Sequence, residues 1–333
     1  MVVIQIFKLG IAFFVSLAIT VVTGIFLIPA LVRMKAGQTI RDDGPVWHNS
    51  KQGTPTMGGI TFITGIAISC FIAGFGELRK GDFSHIIILL FALGCAVIGF
   101  IDDYNKIKKK QNLGLTAKKK FLLHVAVAIV LVFILRISGN LKTNIYMPFL
   151  NVTVAIPEPI YFIFAVIVTV GSVNAVNITD GIDGLVTGVT IPVAVFFILT
   201  AFLWGLTSVG IFAAALAGGL AAFLVFNFHP AKVFMGDTGA HFLGGAVCAI
   251  AFAIDTPLIL ITLCVVFIVE TLSDIIQMTY FKLTKGKRVF KMAPLHHHLE
   301  MCGWNEYKLF AVFTLTSVVF AALSYYGVYF RYR

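Results

Sequence analysis

Long apolar stretches separated by short polar segments run through the whole chain. Most of them approach the roughly 20 residues that a helix needs to cross the hydrocarbon core of a bilayer. The pattern predicts ten membrane-spanning helices, over residues 10–32, 58–76, 85–101, 120–138, 159–177, 188–205, 208–228, 240–254, 257–282 and 307–330. The stretches 85–101 and 240–254 are short for a full crossing, which leaves a tilted or re-entrant path open for both.

Composition supports the same fold class. Hydrophobic residues make up 59% of the chain and charged residues only 12%, which excludes an ordinary soluble globular domain. The sequence therefore predicts an all-α polytopic membrane protein, with residues 1–333 forming one integral membrane domain. Polar and apolar residues alternate along the segment 139–158, and β-branched residues are frequent near its end. This pattern predicts a small hairpin outside the membrane.

Basic residues concentrate in the segments that alternating helices would place on one side of the membrane, namely 33–57, 102–119, 178–187, 229–239 and 283–306. They are Arg33, Lys35, Arg41, Lys51, Lys106, Lys108, Lys109, Lys110, Lys118, Lys119, Lys232, Lys285, Lys287, Arg288 and Lys291. The opposite segments hold Arg79, Lys80 and Lys142. Because cytoplasmic segments carry the excess of Lys and Arg, the first side is predicted to be cytoplasmic and both termini to lie outside.

Many of the acidic residues lie in or beside the same predicted inner segments. They are Asp42, Asp43, Asp102, Asp103, Asp180, Asp183, Asp237, Glu300 and Glu306. A surface that served only solubility would place carboxylates on both sides of the membrane. Acids and bases that mingle at helix ends on one side predict a polar face for an anion, a metal and a proton acceptor.

The stretch GFIDDYNKIKKK places Asp102 and Asp103 at the end of a predicted span. Adjacent carboxylates repel each other and tend to split their titrations, so one can act as a base while the other pairs with a cation or metal. Lys106 follows Asp102 by one helical turn and is a candidate for that cation. The alternative is a solvated helix end that carries charge without chemistry.

In the stretch NAVNITDGIDGL, Asn174, Asn177, Asp180 and Asp183 recur every three residues at the predicted inner end of a span. A continuing helix would place them on one slowly drifting stripe. Polar groups at a membrane boundary are costly unless they face a cavity or a partner. The motif therefore indicates a binding site, with an interhelical hydrogen-bond network as the alternative.

Two further motifs contain candidate ligand groups. In FMGDTG, a glycine turn places Asp237 near a predicted helix N-terminus, where it can bind Mg²⁺ or serve only as an N-cap. Phe234, just before it, can stack on a base or pack in the core. In SKQGTPTMGG, Lys51 lies in a turn from which it can reach a phosphate, or it only sets the topology.

The stretch APLHHHLE contains three consecutive histidines, His296–His298, in a predicted inner loop. Consecutive side chains do not face one point, so the triplet is a poor zinc site. Imidazole groups beside several basic residues suit an anionic or sugar-bearing ligand. A purely structural histidine cluster is the alternative.

The motifs TPTMGG, DDYNK, NAVNITDGIDGL, FMGDTG and APLHHHLE occur in this order on one predicted side of the membrane. Together they closely resemble the bacterial phospho-N-acetylmuramoyl-pentapeptide-transferases, the MraY translocase family of the polyprenyl-phosphate N-acetylhexosamine-1-phosphate transferase superfamily. The resemblance extends over essentially the whole chain.

The resemblance implies a single transferase domain that moves phospho-N-acetylmuramoyl-pentapeptide from its uridine diphosphate carrier to undecaprenyl phosphate, giving lipid I and UMP. It implies Mg²⁺ as cofactor and UDP-N-acetylmuramoyl-pentapeptide, undecaprenyl phosphate and membrane lipid as partners, with no nucleic acid. It also implies a multi-pass protein of the bacterial plasma (inner) membrane with a cytoplasmic active site. The sequence leaves homodimer formation open.

The resemblance also assigns residue roles. Asp102 matches the family residue proposed to deprotonate the lipid phosphate, Asp103 is its catalytic neighbour, and Asp237 matches the magnesium-associated catalytic aspartate. Lysines of the family's active-site cleft correspond to Lys51, Lys110 and Lys118. The nucleoside side of the substrate site corresponds to Asn174, Asn177, Asp180, Asp183 and Phe234, with Phe234 stacked on uracil. His296 and His297 would help to hold the sugar or the pyrophosphate.

Two other functions stay open at this point. A sibling enzyme would transfer N-acetylglucosamine 1-phosphate to the same lipid, although the histidine triplet and TPTMGG resemble the muramoyl-pentapeptide branch. A transporter would use polar groups within the membrane, and Glu270 and Asp274 lie one turn apart in one predicted span.

Overall fold

The computed structural model describes residues 2–34, 51–109, 114–137 and 143–331. Lys110 and residues 35–50 of the predicted inner segment 33–57 lie outside the described residues. Within these ranges long helices dominate. In chain order they are α1 Val2–Arg33, α2 Gly59–Leu78, α3 Ser84–Lys109, α4 Ala117–Ile137, α5 Glu158–Thr179, α6 Leu185–Leu203, α7 Thr207–Asn227, α8 Gly236–Ala253, α9 Leu260–Leu263, α10 Val265–Leu283, α11 Leu295–Glu300 and α12 Glu306–Tyr329. The prediction of an all-α polytopic membrane protein is confirmed.

Every predicted span coincides with one of these helices or with the bent pair α9 and α10. Seven helices in the described part of the chain are long and apolar enough to cross a membrane on their own, namely α1, α2, α3, α5, α6, α7 and α12. A short 3-10 helix, Pro257–Ile259, leads into α9, and α10 continues after a bend of 78°, so this pair supplies an eighth candidate. The count of ten crossings and the side of the termini remain predictions.

Two helices are less clearly membrane-spanning than their predicted counterparts, and each has a physical reason. Three lysines, 118–120, occupy the first turn of α4, and α8 has only 18 residues and begins with a polar turn. In addition, α3 continues through Asp102 and Asp103 to Lys109, where the sequence predicted that the span ends at 101. Charged residues end an apolar stretch without ending a helix, so α3 extends beyond the predicted end of the span.

The centre of the protein is formed by helices that are buried on nearly all sides, above all α7 and α8. Phe62 of α2 packs edge-on against Phe223 of α7 and Phe242 of α8, with ring centroids 5.1 and 6.1 Å apart. The outer helix α1, in contrast, exposes apolar side chains such as Phe7 and Phe26. A helix that is apolar on its outside suits lipid contact, whereas close packing holds the inner helices together.

The predicted hairpin is present. Strands β1, Asn144–Met147, and β2, Val152–Ala155, pair antiparallel with Tyr146 opposite Thr153. The guanidinium of Arg331 lies 4.5 Å from the centre of the Tyr146 ring and donates a hydrogen bond to Asp255 at 2.8 Å. The hairpin is thus attached to the end of α12 and to the turn that follows α8.

Candidate active site

Three carboxylates meet where the end of α3 packs against the start of α8. Asp102, Asp103 and Asp237 each offer one oxygen, and these oxygens all lie within 4.8 Å of one another. The two helices approach closely at Gly99, where an added Cβ would lie 2.2 Å from the carbonyl oxygen of Asp237. A glycine one turn before the Asp pair therefore allows the backbones to touch and brings the carboxylates together.

Asp103 holds the first turn of α8 in place. Its carboxylate accepts hydrogen bonds from Asp237 N at 3.2 Å, from Thr238 N at 2.9 Å and from Thr238 Oγ1 at 2.7 Å. Gly236, at φ +72°, turns the chain tightly here, and its added Cβ would lie 2.6 Å from Asp103 Oδ2. The free N–H groups at the start of α8 are thus satisfied by a side chain of another helix. Asp237 lies inside the first turn and is free of the N-cap role that was its alternative.

Two lysines neutralise the carboxylates. Lys106 Nζ lies 2.7 Å from Asp102 Oδ2 and 3.2 Å from Asp237 Oδ2, so the cation expected one turn after Asp102 is there. Lys120 Nζ lies 3.0 Å from Asp102 Oδ2 and 2.5 Å from Asp237 Oδ2. The resemblance had assigned Lys118 to the active-site cleft, but Lys118 is exposed on the first turn of α4. Three carboxylates and two ammonium groups leave a formal charge of −1, which favours a further cation.

The chain before α4 folds over Asp102. The backbone N–H of Leu115 donates to Asp102 Oδ1 at 2.5 Å, and an added Cβ on Gly114 would lie 2.3 Å from the same oxygen. Asp102 is fully buried as a result. A buried carboxylate with a hydrogen-bond donor at one oxygen and two ammonium groups at the other is held in one orientation, as a positioned general base requires.

A second polar cluster connects α12 with the loop between α5 and α6. Lys51 Nζ lies 2.8 Å from Asp183 Oδ1 and 2.7 Å from the Glu306 carboxylate. Asp183 also accepts from His229 Nδ1 at 2.8 Å and from Ala231 N at 3.0 Å. Burial would raise the pKa of Asp183, but Lys51 and these donors hold that pKa below its ordinary value. The structure thus places Lys51 in an internal ion-pair network rather than free to meet a phosphate.

Asp180 lies directly after the end of α5 and is half-buried. Burial and the neighbouring carboxylates Asp237, Asp103 and Asp183 raise the pKa of Asp180 to about 8. The loop after α5 therefore lies near the carboxylates of α3 and α8. Asn174, Asn177, Asp180, Asp183 and Phe234 are the residues predicted for the nucleoside side of this candidate site, and we call them the polar wall.

Two residues of the predicted stripe and one aromatic ring complete this wall. The Asn174 side chain donates to Val170 O of its own helix at 2.7 Å, so its amide N–H is engaged locally, and Asn177 is half-buried one turn later. Half-buried Phe234 is fixed by its backbone, because its N–H donates to Pro55 O and its C=O accepts from Gly58 N, both at 2.8 Å. These two backbone hydrogen bonds therefore connect the TPTMGG motif with the FMGDTG motif.

The histidine triplet forms the short helix α11 instead of the predicted loop. His296 is buried, and its Nδ1 lies 2.9 Å from Glu270 Oε2 of α10. His297 Nδ1 lies 2.7 Å from Glu300 Oε2. A Cβ added to Gly181 would lie 2.1 Å from His296 Nε2, so α11 packs directly against the loop that contains Asp180 and Asp183.

Comparisons with known proteins identify the family. The profile of glycosyl transferase family 4 matches residues 85–255, and phospho-N-acetylmuramoyl-pentapeptide-transferase signature 1 matches residues 51–63. The phospho-N-acetylmuramoyl-pentapeptide-transferase of Staphylococcus saprophyticus is 47% identical over 309 residues, covering 92% of this chain and 94% of the relative. The Clostridium acetobutylicum protein of the same name is 44% identical over 315 residues, covering 93% and 96%. The chain belongs to the phospho-N-acetylmuramoyl-pentapeptide-transferases. The family predicted from the motifs is confirmed.

The carboxylate cluster of this family member fits a hard divalent cation. Asp102, Asp103 and Asp237 offer oxygen ligands within a small volume, and the cluster keeps a formal negative charge beside its two lysines. Mg²⁺ prefers one or two carboxylates and retains waters for contact with phosphates. The oxygen chemistry and the charge of the cluster therefore suit Mg²⁺, with Asp237 as the predicted ligand.

Several charged residues at the site were not assigned to it by sequence reasoning. They are Lys120, His229, Glu270 and Glu306. Glu270 carried a usable signal, because a carboxylate in the middle of an apolar helix needs a partner. Lys120 carried no such signal. The sequence does not show where the helix starts, so it does not reveal which of three adjacent lysines faces the core.

Proposed function

We propose that this protein transfers phospho-N-acetylmuramoyl-pentapeptide from uridine diphosphate to undecaprenyl phosphate, which yields lipid I and UMP. The observation that carries the proposal is the cluster of Asp102, Asp103 and Asp237 with Lys106 and Lys120, in a chain of this family. Such a cluster combines a base, cations for phosphate oxygens and a metal site within one small volume.

In the proposed reaction an oxygen of the lipid phosphate attacks the phosphorus that is bonded to the sugar. The bond from that phosphorus to the bridging oxygen breaks, and UMP leaves with the electron pair. Asp102 accepts the proton of the lipid phosphate, for which its buried and fixed carboxylate is suited. We propose direct attack, without a covalent intermediate on Asp103 or Asp237.

The other residues of the cluster act by position and charge. Lys106 and Lys120 neutralise charge that develops on the phosphate oxygens, which is the main requirement of phosphoryl transfer. Asp103 fixes the first turn of α8 and thereby the direction of Asp237. Asp237 would hold Mg²⁺, which would supply Lewis-acid stabilisation of the phosphates.

The polar wall is proposed to bind the nucleotide-sugar donor. Asn177, Asp180 and Phe234 are half-buried there, where they can offer hydrogen bonds and an aromatic face to the uridine. His296 and His297 extend this wall from α11 and are proposed to hold the sugar or pyrophosphate. Lys51 and Asp183 are proposed to support the wall through their ion pair.

The reaction is proposed to occur at the cytoplasmic face of the bacterial plasma membrane. The carboxylate cluster lies at the ends of α3 and α8 that border the segments rich in Lys and Arg. The positive-inside rule assigns such segments to the cytoplasm, where a nucleotide-linked donor is available.

The test is release of UMP by purified protein that is given UDP-N-acetylmuramoyl-pentapeptide and undecaprenyl phosphate with Mg²⁺. Competition between this donor and UDP-N-acetylglucosamine separates the two transferase functions. Consumption of UDP-N-acetylglucosamine alone would replace the proposed donor. Ion or solute flux in proteoliposomes without UMP release would instead support transport.

A further inference from the structure

Glu270 is a buried carboxylate in the second turn of α10, near the middle of the predicted span 257–282. A carboxylate in such a place is costly unless it is paired and hydrogen-bonded. Its partner is His296: the backbone N–H of His296 donates to Oε1 at 3.2 Å and to Oε2 at 3.4 Å, and Nδ1 lies 2.9 Å from Oε2. One carboxylate therefore fixes both the backbone and the ring of this histidine.

The other ring nitrogen of His296 faces the loop between α5 and α6. Nε2 is buried and has no hydrogen-bond partner among the described residues. It points at Gly181, where a Cβ would lie only 2.1 Å away, so the glycine leaves room for the ring edge. The proton on one imidazole nitrogen is set by the hydrogen bond that nitrogen makes. Since a carboxylate only accepts, Glu270 keeps a proton on Nδ1 and leaves Nε2 as the nitrogen available to a ligand.

The same helix also fixes the chain that leads into α11. Two turns after Glu270, Gln277 Oε1 accepts from Val289 N at 3.0 Å and from Phe290 N at 3.1 Å, and its amide donates to Phe290 O at 2.9 Å. The position of His296 is therefore determined by α10, through Gln277 for the approaching chain and through Glu270 for the imidazole.

We propose that Glu270 is a positioning residue for the nucleotide-sugar donor and acts through His296. This inference rests on the proposed function. The donor is favoured over the lipid because Nε2 faces a loop whose neighbouring groups, Asn177 and Asp180, are polar and half-buried. Sugar hydroxyls, a pyrophosphate or a base gain hydrogen bonds there, whereas a polyprenyl chain gains none.

The experiment is a double-mutant cycle on purified full-length protein, with Glu270→Ala, Glu270→Gln and His296→Ala alone and combined. UMP release is measured as a function of each substrate, and the thermal stability of every variant is measured in the same detergent. Asp274→Asn is the matched control, because Asp274 is half-buried one turn further along α10 and outside this pair. Its kcat/KM should stay within about twofold of the parent protein.

Glu270→Ala should lower kcat/KM for the donor about tenfold or more, while the KM for undecaprenyl phosphate changes by less than about twofold. Glu270→Gln keeps one acceptor oxygen, so its kcat/KM for the donor should fall less than that of Glu270→Ala. It provides the test if Glu270→Ala does not fold. In the His296→Ala background, either change at Glu270 should alter kcat/KM by no more than about twofold.

Equal losses with and without His296 would overturn the proposal and leave Glu270 with a purely structural role. A loss that appears in the KM for the lipid instead of the donor would also overturn it. Absence of UMP release by the parent protein would reject the proposed function, and donor binding by calorimetry would then decide this inference. Weaker binding of UDP-N-acetylmuramoyl-pentapeptide to Glu270→Ala supports the positioning role, and unchanged binding refutes it.

Discussion

Lys120 of α4 lies 2.5 Å from Asp237 of α8, although 117 residues separate them in the chain. The same ammonium lies 3.0 Å from Asp102. Lys120 thus connects the proposed base and the proposed metal ligand, and its contacts distinguish it from the lysines beside it.

Replacement of Lys120 should therefore impair catalysis. Lys120→Ala removes a cation that faces both carboxylates and should lower kcat for UMP release about tenfold or more, since a charged group at a reacting phosphate commonly contributes that much. Lys119→Ala is the control, because Lys119 is exposed on the same turn. Equal effects of the two substitutions would show that only the overall positive charge of this turn matters.

The metal prediction centres on Asp237. Asp237→Asn keeps the size of the side chain but removes the charge of a proposed ligand, so magnesium-dependent turnover should be abolished while the protein remains folded in detergent. Chelation with EDTA should likewise stop UMP release by the parent protein, and added Mg²⁺ should restore it. Near-normal turnover by the variant would remove Asp237 from the metal site.

The contact between α3 and α8 offers a steric test. A Cβ at Gly99 would lie 2.2 Å from the Asp237 carbonyl oxygen, so Gly99→Ala must push the two helices apart. We expect a loss of about 1–3 kcal/mol in stability together with a large loss of turnover. Gly10→Ala is the control, because nothing lies within 4 Å of its added Cβ. Full activity of Gly99→Ala would mean that the carboxylates tolerate a wider spacing.

Asp180 predicts a pH dependence of stability in protein freed of metal. Burial and neighbouring carboxylates raise the pKa of Asp180 to about 8, well above the value of an unfolded chain. The folded protein therefore binds this proton more tightly, and the corresponding stability is lost as the pH rises from about 4 to about 8. Asp180→Asn should flatten this decline in a thermal unfolding series with EDTA. An unchanged slope would assign the decline to other groups.

Hydrophobic pattern predicted most of the fold because bilayer thickness sets both the length and the polarity of each span. The same pattern did not predict where α3 ends, since the helix continues past the apolar stretch to Lys109. It also gave no sign that the histidine triplet would form the helix α11. The end of α3 and the helix α11 both depend on contacts with other elements, which cannot be inferred from the hydrophobic pattern of a single segment.

The site was predictable in part. The carboxylates Asp102, Asp103 and Asp237 are brought together, as charges at helix ends on one side had indicated. The lysines were harder, because position within a basic run does not determine which ammonium faces inward: Lys120 points to the carboxylates and Lys118 does not. Lys51 was predicted for a phosphate, yet its neighbours Asp183 and Glu306 became visible only in three dimensions.

The glycine contact between α3 and α8 has an evolutionary consequence. Gly99 and Gly236 hold the reacting carboxylates by backbone proximity, whereas the donor is proposed to meet side chains from the α5–α6 loop and α11. The proposed reaction chemistry and most of the proposed donor contacts are thus encoded in separate parts of the sequence, with Phe234 beside Gly236 as the exception. A lineage that changed its nucleotide sugar could diversify the recognition segments while inheriting the two glycines and the aspartates intact.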